Sequence, residues 1–338
     1  MPDVLASRPE GERDRIAEAL THFLVAQSTT KFSAESREPI DIQQGKSLYH
    51  TVGCVACHGP KEPTTVVKKR NDEEDEDEDK SGAAKKAIKP VAVPLGHVAA
   101  KYGAKSLGEF LFQPLRIRAS GRMPDMKLTP AESLAIAGYL AGEPSQQTTA
   151  LVPQEPLVTL GKKYFQELNC AACHSLPGIT AAPLIGSLKT ADLTRGCLSG
   201  TSVRSPRFHL ADAQVTAMVT SLREEPQADS DQVVAAKTLT AFNCIACHIR
   251  DDFGGVHETH NPFFAGSEQK LGDDGRIPPP LTLVGAKLQP AWMKKVLFDG
   301  EGVRHYMATR MPQYGTANLR HLPDVLSRLD VMRSTEMK

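Results

Sequence analysis

A five-residue pattern, Cys-x-x-Cys-His, occurs three times in this chain of 338 residues and limits what the chain can fold around. The copies are Cys54-Val55-Ala56-Cys57-His58, Cys170-Ala171-Ala172-Cys173-His174 and Cys244-Ile245-Ala246-Cys247-His248. They take six of the seven cysteines, whereas chance would supply only about 0.005 copies in a chain of this composition. Two cysteines at positions i and i+3 attach one haem, and the adjacent histidine supplies the proximal ligand to its iron. We therefore expect three covalently bound haem c (heme c) groups, with His58, His174 and His248 as iron ligands.

Two other chemistries also use closely spaced cysteines, namely zinc binding and thiol redox exchange. A zinc site needs further Cys or His partners at matched spacing, and neither chemistry calls for an adjacent histidine in all three copies. Composition favours the bound cofactor as well, because aromatic residues make up only 5% of the chain. A buried macrocycle would fill the interior that aromatic side chains fill elsewhere.

The segments around the three motifs are internal repeats. A small residue stands nine positions before the first cysteine and a large apolar one five positions before it. These pairs are Gly45 and Tyr49, Gly161 and Phe165, and Ala235 and Leu239. Residues four apart share one helix face, so the small residue should let another helix approach closely.

A second, closing helix is predicted after each motif. In the first repeat Thr129 should cap this helix and Glu132 should complete a capping box. The counterparts cover residues 212–222 in the second repeat and 319–329 in the third, where Pro323 interrupts the pattern. Each repeat should therefore consist of a helix, the haem motif, a loop and a closing helix.

Two polar stretches divide the chain, at residues 142–156 and 224–231. We predict an all-α fold with three consecutive helical domains, each wrapped round one haem and carrying long loops. The domains are 38–147, 148–228 and 229–338, and residues 1–37 form a helical N-terminal extension. In this extension an amphipathic stretch follows Met1-Pro2-Asp3, which echoes Met123-Pro124-Asp125, so the extension resembles the tail of a further unit.

The sixth iron ligand decides whether a haem only transfers electrons or also admits small molecules. Met123 and Met311 each stand between an arginine and a proline, shortly before the closing helix of repeats one and three. A residue that precedes proline is held in an extended conformation, which suits a ligand carried on a loop. We predict Met123 and Met311 as sixth ligands, with Met126 and Met307 as their competitors.

The second repeat lacks such a methionine. Ser205 stands in its place, and serine is a poor ligand for haem iron. The candidates that remain are His209 and the seventh cysteine, Cys197, with five-coordinate iron or Met218 as further alternatives. A thiolate would lower the potential of this haem whereas methionine raises that of the other two, so the central site should differ from its neighbours.

Other features give weaker indications. Residues 72–79 are eight consecutive acids, which predicts a solvated, disordered loop, with a calcium site or a docking site for a basic partner as the alternative. His257 and His260 are candidate metal ligands, but no acid or cysteine partner at a known spacing accompanies them. We therefore predict that this loop covers a haem edge instead. Trp292 is expected to pack against the third haem.

Repeats one and three resemble class I c-type cytochromes, in the Cys-x-x-Cys-His motif, the first helix and the Arg-Met-Pro before the last helix. The resemblance covers residues 38 to 335, and the stretches 121–129 and 277–288 are similar to cytochrome modules of large bacterial periplasmic proteins. It implies cytochrome c-like domains and electron transfer, and it carries four iron ligands over to this chain: His58, Met123, His248 and Met311. The missing methionine of the second repeat is where the match fails.

The resemblance implies a periplasmic electron relay between a dehydrogenase and an acceptor, rather than an enzyme. The alternative is a haem enzyme acting on peroxide or a sulfur compound at the second haem, where Arg195, Arg204 and Arg207 could hold an anion. Because 40 basic residues balance 40 acidic ones, net charge gives no argument for nucleic acid or an anionic membrane as partner.

No run of about 20 apolar residues is present, so no transmembrane segment is expected. The first residues also lack a secretory signal. We expect that the signal has been removed or that the sequence is an internal piece of a longer chain.

Overall fold

The computed structural model describes residues 3–6, 8–29, 39–62, 92–142, 150–182, 187–190, 192, 198, 207–224 and 227–336. These residues are mostly helical, which confirms the predicted all-α class. One short antiparallel strand pair, β1 Ile249–Arg250 and β2 Phe253–Gly254, follows the third motif.

The α-helices are α1 Glu10–Ala26, α2 Ile42–Thr51, α3 Cys54–His58, α4 Val98–Lys101, α5 Ala104–Phe112, α6 Pro114–Ile117, α7 Pro130–Ala141, α8 Glu155–Glu167, α9 Asp212–Arg223, α10 Asp231–Ala241, α11 Val284–Lys287, α12 Pro290–Lys294, α13 Thr316–Leu319 and α14 Leu322–Glu336. Shorter 3₁₀ turns cover Cys170–Ala172, Cys244–Ala246, Asn261–Phe263 and Gln269–Gly275, and a π-helical turn covers Lys295–Asp299.

The chain divides into two compact units, one made of residues 1–35 and 147–228 and the other of residues 36–146 and 229–338. The grouping does not follow chain order, because the first and third repeats belong to one unit. The division into three haem domains stays a prediction.

In the smaller unit, α1 packs on α8, the helix that leads into the second motif. The crossing is so close that a Cβ at Gly161 would lie 2.0 Å from the carbonyl oxygen of Ala19. Four residues further along both helices, the rings of Phe23 and Phe165 lie 5.6 Å apart. The small-plus-apolar pattern of α8 therefore predicted a helix contact correctly, but the partner helix lies in the N-terminal extension.

The helix predicted to close the second repeat is present as α9, and no side chain of α9 is buried. Ala19 and Phe23 of α1 have the same four-residue spacing as Gly161 and Phe165 of α8, so the two faces match. Helix α1 therefore makes the contact with α8 that we expected of the closing helix.

In the larger unit, α2 and α7 repeat this arrangement around the first motif. A Cβ at Gly45 would lie 1.9 Å from the carbonyl oxygen of Ala135, and the rings of Tyr49 and Tyr139 are 5.6 Å apart. Helix α7 begins as predicted, because Glu132 and the cap residue Thr129 exchange both hydrogen bonds of a capping box.

Around the third motif, α10 packs on α14 and buries Ala235 and Leu239. The predicted closing helix is broken near Pro323, since α13 ends at Leu319 and α14 begins at Leu322. A buried ion pair between Arg250 and Asp330 joins β1 to α14. The carboxylate also accepts from the amide of Gly285, and the guanidinium also donates to the carbonyl of Leu281, so both charges are well partnered.

Candidate haem centres

Each motif begins after a residue in the left-handed backbone conformation. These residues are Gly53 (φ 119°), Asn169 (φ 51°) and Asn243 (φ 54°). In all three copies the carbonyl of this residue accepts a hydrogen bond from the amide of the second residue between the cysteines, at 3.0–3.1 Å. Glycine and asparagine tolerate this conformation best. The sequence carries this signal directly before each first cysteine, and our reading of the motifs missed it.

The six motif cysteines are free thiols in this structure. Burial raises the pKa of Cys54 and of Cys247 to about 12, and that of Cys244 to about 11. Thiol redox centres work through lowered pKa values that populate the thiolate, so the direction of these shifts weighs against that alternative.

The histidines of the first and third motifs are held in the same way. His58 Nδ1 donates to the carbonyl oxygen of Val93 at 3.0 Å, and His248 Nδ1 donates to that of Pro279 at 2.7 Å. A carbonyl can only accept, so each ring carries its proton on Nδ1 and leaves Nε2 with a free lone pair. This is the tautomer and the orienting contact that a histidine bound to iron requires.

The two carbonyls belong to matching sequences, Val93-Pro94-Leu95 and Pro279-Pro280-Leu281. In both, the amide three residues after the leucine bonds back to the leucine carbonyl at 3.0–3.1 Å and starts a short helix, α4 or α11. Burial lowers the pKa of His58 and of His248, which favours the neutral ring that binds a metal. The residues present therefore fit a haem at these two motifs.

The second motif is more open. Cys173 is exposed, and so is His174. Residues 183–184, a Pro-Leu that matches those of the other two repeats, lie outside the described residues. Asn169 Oδ1 accepts from the amide of Ala182, directly before that proline, at 2.9 Å.

The methionine candidates of the larger unit differ in their surroundings. Met126 is buried in the core of the first repeat, and a Cβ at Gly53 would lie 3.2 Å from its Cε. Met123 is only partly buried and packs against the same core. In the third repeat Met311 is 36% exposed and Met307 is half-buried. Met126 therefore has a packing role, whereas Met123 and Met311 keep accessible side chains, and their role as sixth ligands stays a prediction.

Only some of the candidate ligands of the second haem lie within the described residues. His209 is exposed just before α9 with φ 50°, and Met218 is 43% exposed on that helix. Cys197, Ser205, Arg195 and Arg204 lie outside the described residues. Arg207 exchanges two backbone hydrogen bonds with Asp3, at 2.9 and 3.0 Å.

Three other predicted features remain untested. The acidic run at 72–79 lies outside the described residues. The rings of His257 and His260 are 6.3 Å apart, and no group of three or more Cys, His, Asp or Glu in the described part of the chain could share a metal ion. Trp292 lies on α12, and its packing against the third haem stays a prediction.

The Met-Pro segments of the first and third repeats run antiparallel and pair with each other. The amide of Asp125 donates to the carbonyl of Gln313 at 2.9 Å, and the amide of Gln313 donates back at 2.8 Å. Next to this pair, Arg310 forms a two-pronged ion pair with Glu132, at 2.6 and 3.0 Å. These hydrogen bonds lower the pKa of Glu132 to about 2, and the Thr129 amide contributes in the same direction.

No protein-family model matches the chain, and neither a curated protein nor a solved structure matches it. Among the helices described, none is both long and apolar enough to cross a membrane. The motifs and their geometry therefore carry the functional argument.

Proposed function

We propose that this chain is a three-haem c-type cytochrome built of cytochrome c-like domains, and that it transfers electrons between redox proteins of the periplasm. The observation that carries the proposal is the matched pair of histidines, each directly after a Cys-x-x-Cys and each bonded through Nδ1 to a carbonyl before Pro-Leu. Two separate segments build the same arrangement, which a chance motif would not produce.

A bound haem supplies an iron that takes up and releases one electron at a time. The chain's own residues do the remaining work. The cysteine pairs at 54 and 57, 170 and 173, and 244 and 247 attach the macrocycle, and His58, His174 and His248 supply the proximal nitrogen. The carbonyls of Val93 and Pro279 fix two of these rings, and Met123 and Met311 complete the coordination and so keep small molecules away.

A second candidate function rests on the exposure of the second motif. An accessible iron at His174, without a methionine, could act on peroxide or a sulfur compound. His209 or Cys197 as sixth ligand would decide between transfer and reaction there. The electron-transfer function is preferred because buried motif residues and matched histidine contacts are found at the other two sites.

The first test is the haem content of the protein matured in a host that attaches haem c. A pyridine haemochrome assay together with the intact mass should give three haems per chain. A count below three would refute the assignment of at least one motif. A count of zero haems would refute the proposed function.

The second test is electron paramagnetic resonance of the fully oxidised protein with and without cyanide. Three low-spin irons that ignore cyanide support a pure electron carrier. A high-spin signal that cyanide converts to low spin would make the second haem a reaction site.

The sixth ligands are tested by Met123→Ala and Met311→Ala, each of which should remove one near-infrared methionine-to-iron band. Met126→Ala and Met307→Ala are the matched variants and should leave the bands in place. Loss of a band in one of these two instead would move the ligand assignment to that methionine.

A further inference from the structure

The first and third motifs lie within one compact unit although Cys57 and Asn243 are 186 residues apart in the chain. Asn243, the residue directly before the third motif, donates through Nδ2 to Cys57 Sγ of the first motif at 3.3 Å. The flank of one attachment motif therefore touches an attachment thiol of the other.

The Met-Pro segments add crosswise contacts. The amide of Arg310, directly before Met311, donates to the carbonyl of Val52 at 3.0 Å, two residues before the first motif. In the opposite direction, a Cβ at Gly121, two residues before Met123, would lie 3.4 Å from the ring of Phe242. The methionine loop of each repeat thus packs against the start of the other repeat's motif.

The paired backbones of Asp125 and Gln313 hold the two methionine loops side by side. Gly53 and Asn243 occupy equivalent positions directly before their motifs. A Cβ at Gly53 would lie 3.4 Å from Thr309 Cγ2, so the residue directly before the first motif also meets the methionine loop of the third repeat. The segments that lead into the two motifs therefore share one interface with the two methionine loops.

The side chain of Tyr314 lies at this interface. It is buried, and its ring stands 5.2 Å from that of Phe242 in an edge-on arrangement. Burial raises its pKa well above the ordinary value, and the thiols of Cys244, Cys57 and Cys247 each add to the shift. Tyr314 thus lies near thiols of both motifs.

We propose that the first and third motifs hold their haems as one coupled pair, between which an electron passes directly rather than in chain order. The inference rests on the proposed function and adds the route within it. In each transfer one iron goes from ferrous to ferric while the other goes from ferric to ferrous, so one electron moves and no proton is required. The buried residues at the interface keep water out and thereby strengthen the electrostatic influence of each site on the other.

The test is the variant Cys244→Ser/Cys247→Ser in the full chain, which removes the attachment thiols of the third haem. The readout is the spectroelectrochemical titration of the first haem's methionine band, which is assigned as the band lost in Met123→Ala. At an effective permittivity of about 20, a unit charge on the order of 10 Å away changes the oxidised-to-reduced ratio at fixed potential on the order of tenfold. We expect a shift of that order, and an unchanged titration would overturn the pairing.

The matched control is Cys170→Ser/Cys173→Ser, which makes the same chemical change in the motif of the other compact unit. In this variant, reduction of the third haem should still shift the titration of the first. If reduction of the third haem no longer shifted the titration of the first haem in this control, the pair would depend on the second motif. That result would contradict a pair held within the larger unit alone.

A second measurement does not depend on the folding of these variants. In the intact oxidised protein, pulsed electron paramagnetic resonance should show dipolar broadening of the first haem's signal, and the broadening should disappear when the third haem is reduced. If three haems are present but no such coupling is seen, the pairing fails and the proposed function stands. A haem count below three would instead count against the proposed function.

Discussion

Asp125 and Gln313 donate backbone hydrogen bonds to each other's carbonyls, at 2.9 and 2.8 Å, although they belong to the first and third repeats. Each stands two residues after a methionine predicted to bind iron. The pairing fixes the two methionine loops against each other, so a change in one loop should be felt at the other site.

The ion pair of Glu132 with Arg310 should stabilise the larger unit. Both side chains are largely covered, and the guanidinium binds both carboxylate oxygens. In a double-mutant cycle with Glu132→Gln and Arg310→Gln, measured by chemical denaturation, we expect a coupling energy of about 1–2 kcal/mol. The more exposed pair of Asp231 with Arg328 is the control and should give less than about 1 kcal/mol. Equal coupling in the two pairs would contradict this prediction.

The same ion pair should make the stability of the larger unit depend on pH. The folded pKa of Glu132, about 2, lies below its ordinary value of 4.5. A depressed pKa adds stability that is fully present above pH 4.5 and is lost as the pH falls towards 2. The difference in free energy of unfolding between the native protein and Glu132→Gln should therefore shrink between pH 4.5 and 2, as followed by denaturant titrations. A difference that stays constant over this range would show that the carboxylate charge does not contribute.

Asp330 should be essential for the third repeat, because it is fully buried with Arg250. Asp330→Ala leaves a buried guanidinium without its counterion, which costs about 3–5 kcal/mol. Asp324→Ala is the matched control on the same helix, since its pair with Lys294 is exposed and contributes at most about 1 kcal/mol. Thermal unfolding of both variants measures the difference. Similar losses for the two would contradict the role of the buried pair.

The contact between α1 and α8 should not tolerate a side chain at Gly161. Gly161→Ala places a methyl group against the backbone of Ala19, which we expect to destabilise the smaller unit by about 1–3 kcal/mol. Gly11→Ala is the control, because a Cβ there meets nothing within 4 Å, and it should be neutral or stabilising by up to about 1 kcal/mol. Hydrogen exchange of α8 amides reports on this unit. Unchanged protection in Gly161→Ala would show that α1 does not close α8 in solution.

The sequence by itself determined the local features of this protein. The three Cys-x-x-Cys-His motifs, the helices before them and the capping box at Thr129 follow from residues close together in the chain, and the structure shows each of these helices. The need for a close helix partner at Gly45 and Gly161 was also readable, because a small residue four positions from an aromatic one leaves room on one helix face.

Only the tertiary structure decided which segments meet. The pattern at Gly161 could not say whether α1 or α9 would cover it, since both helices offer apolar faces and only the match of Ala19 and Phe23 in space selects α1. Nothing in the chain order placed Asn243 beside Cys57, because contacts between distant segments depend on the packing of whole surfaces. Local propensity acts over a few residues, whereas the pairing of the first and third repeats comes from complementary surfaces more than 180 residues apart in the chain.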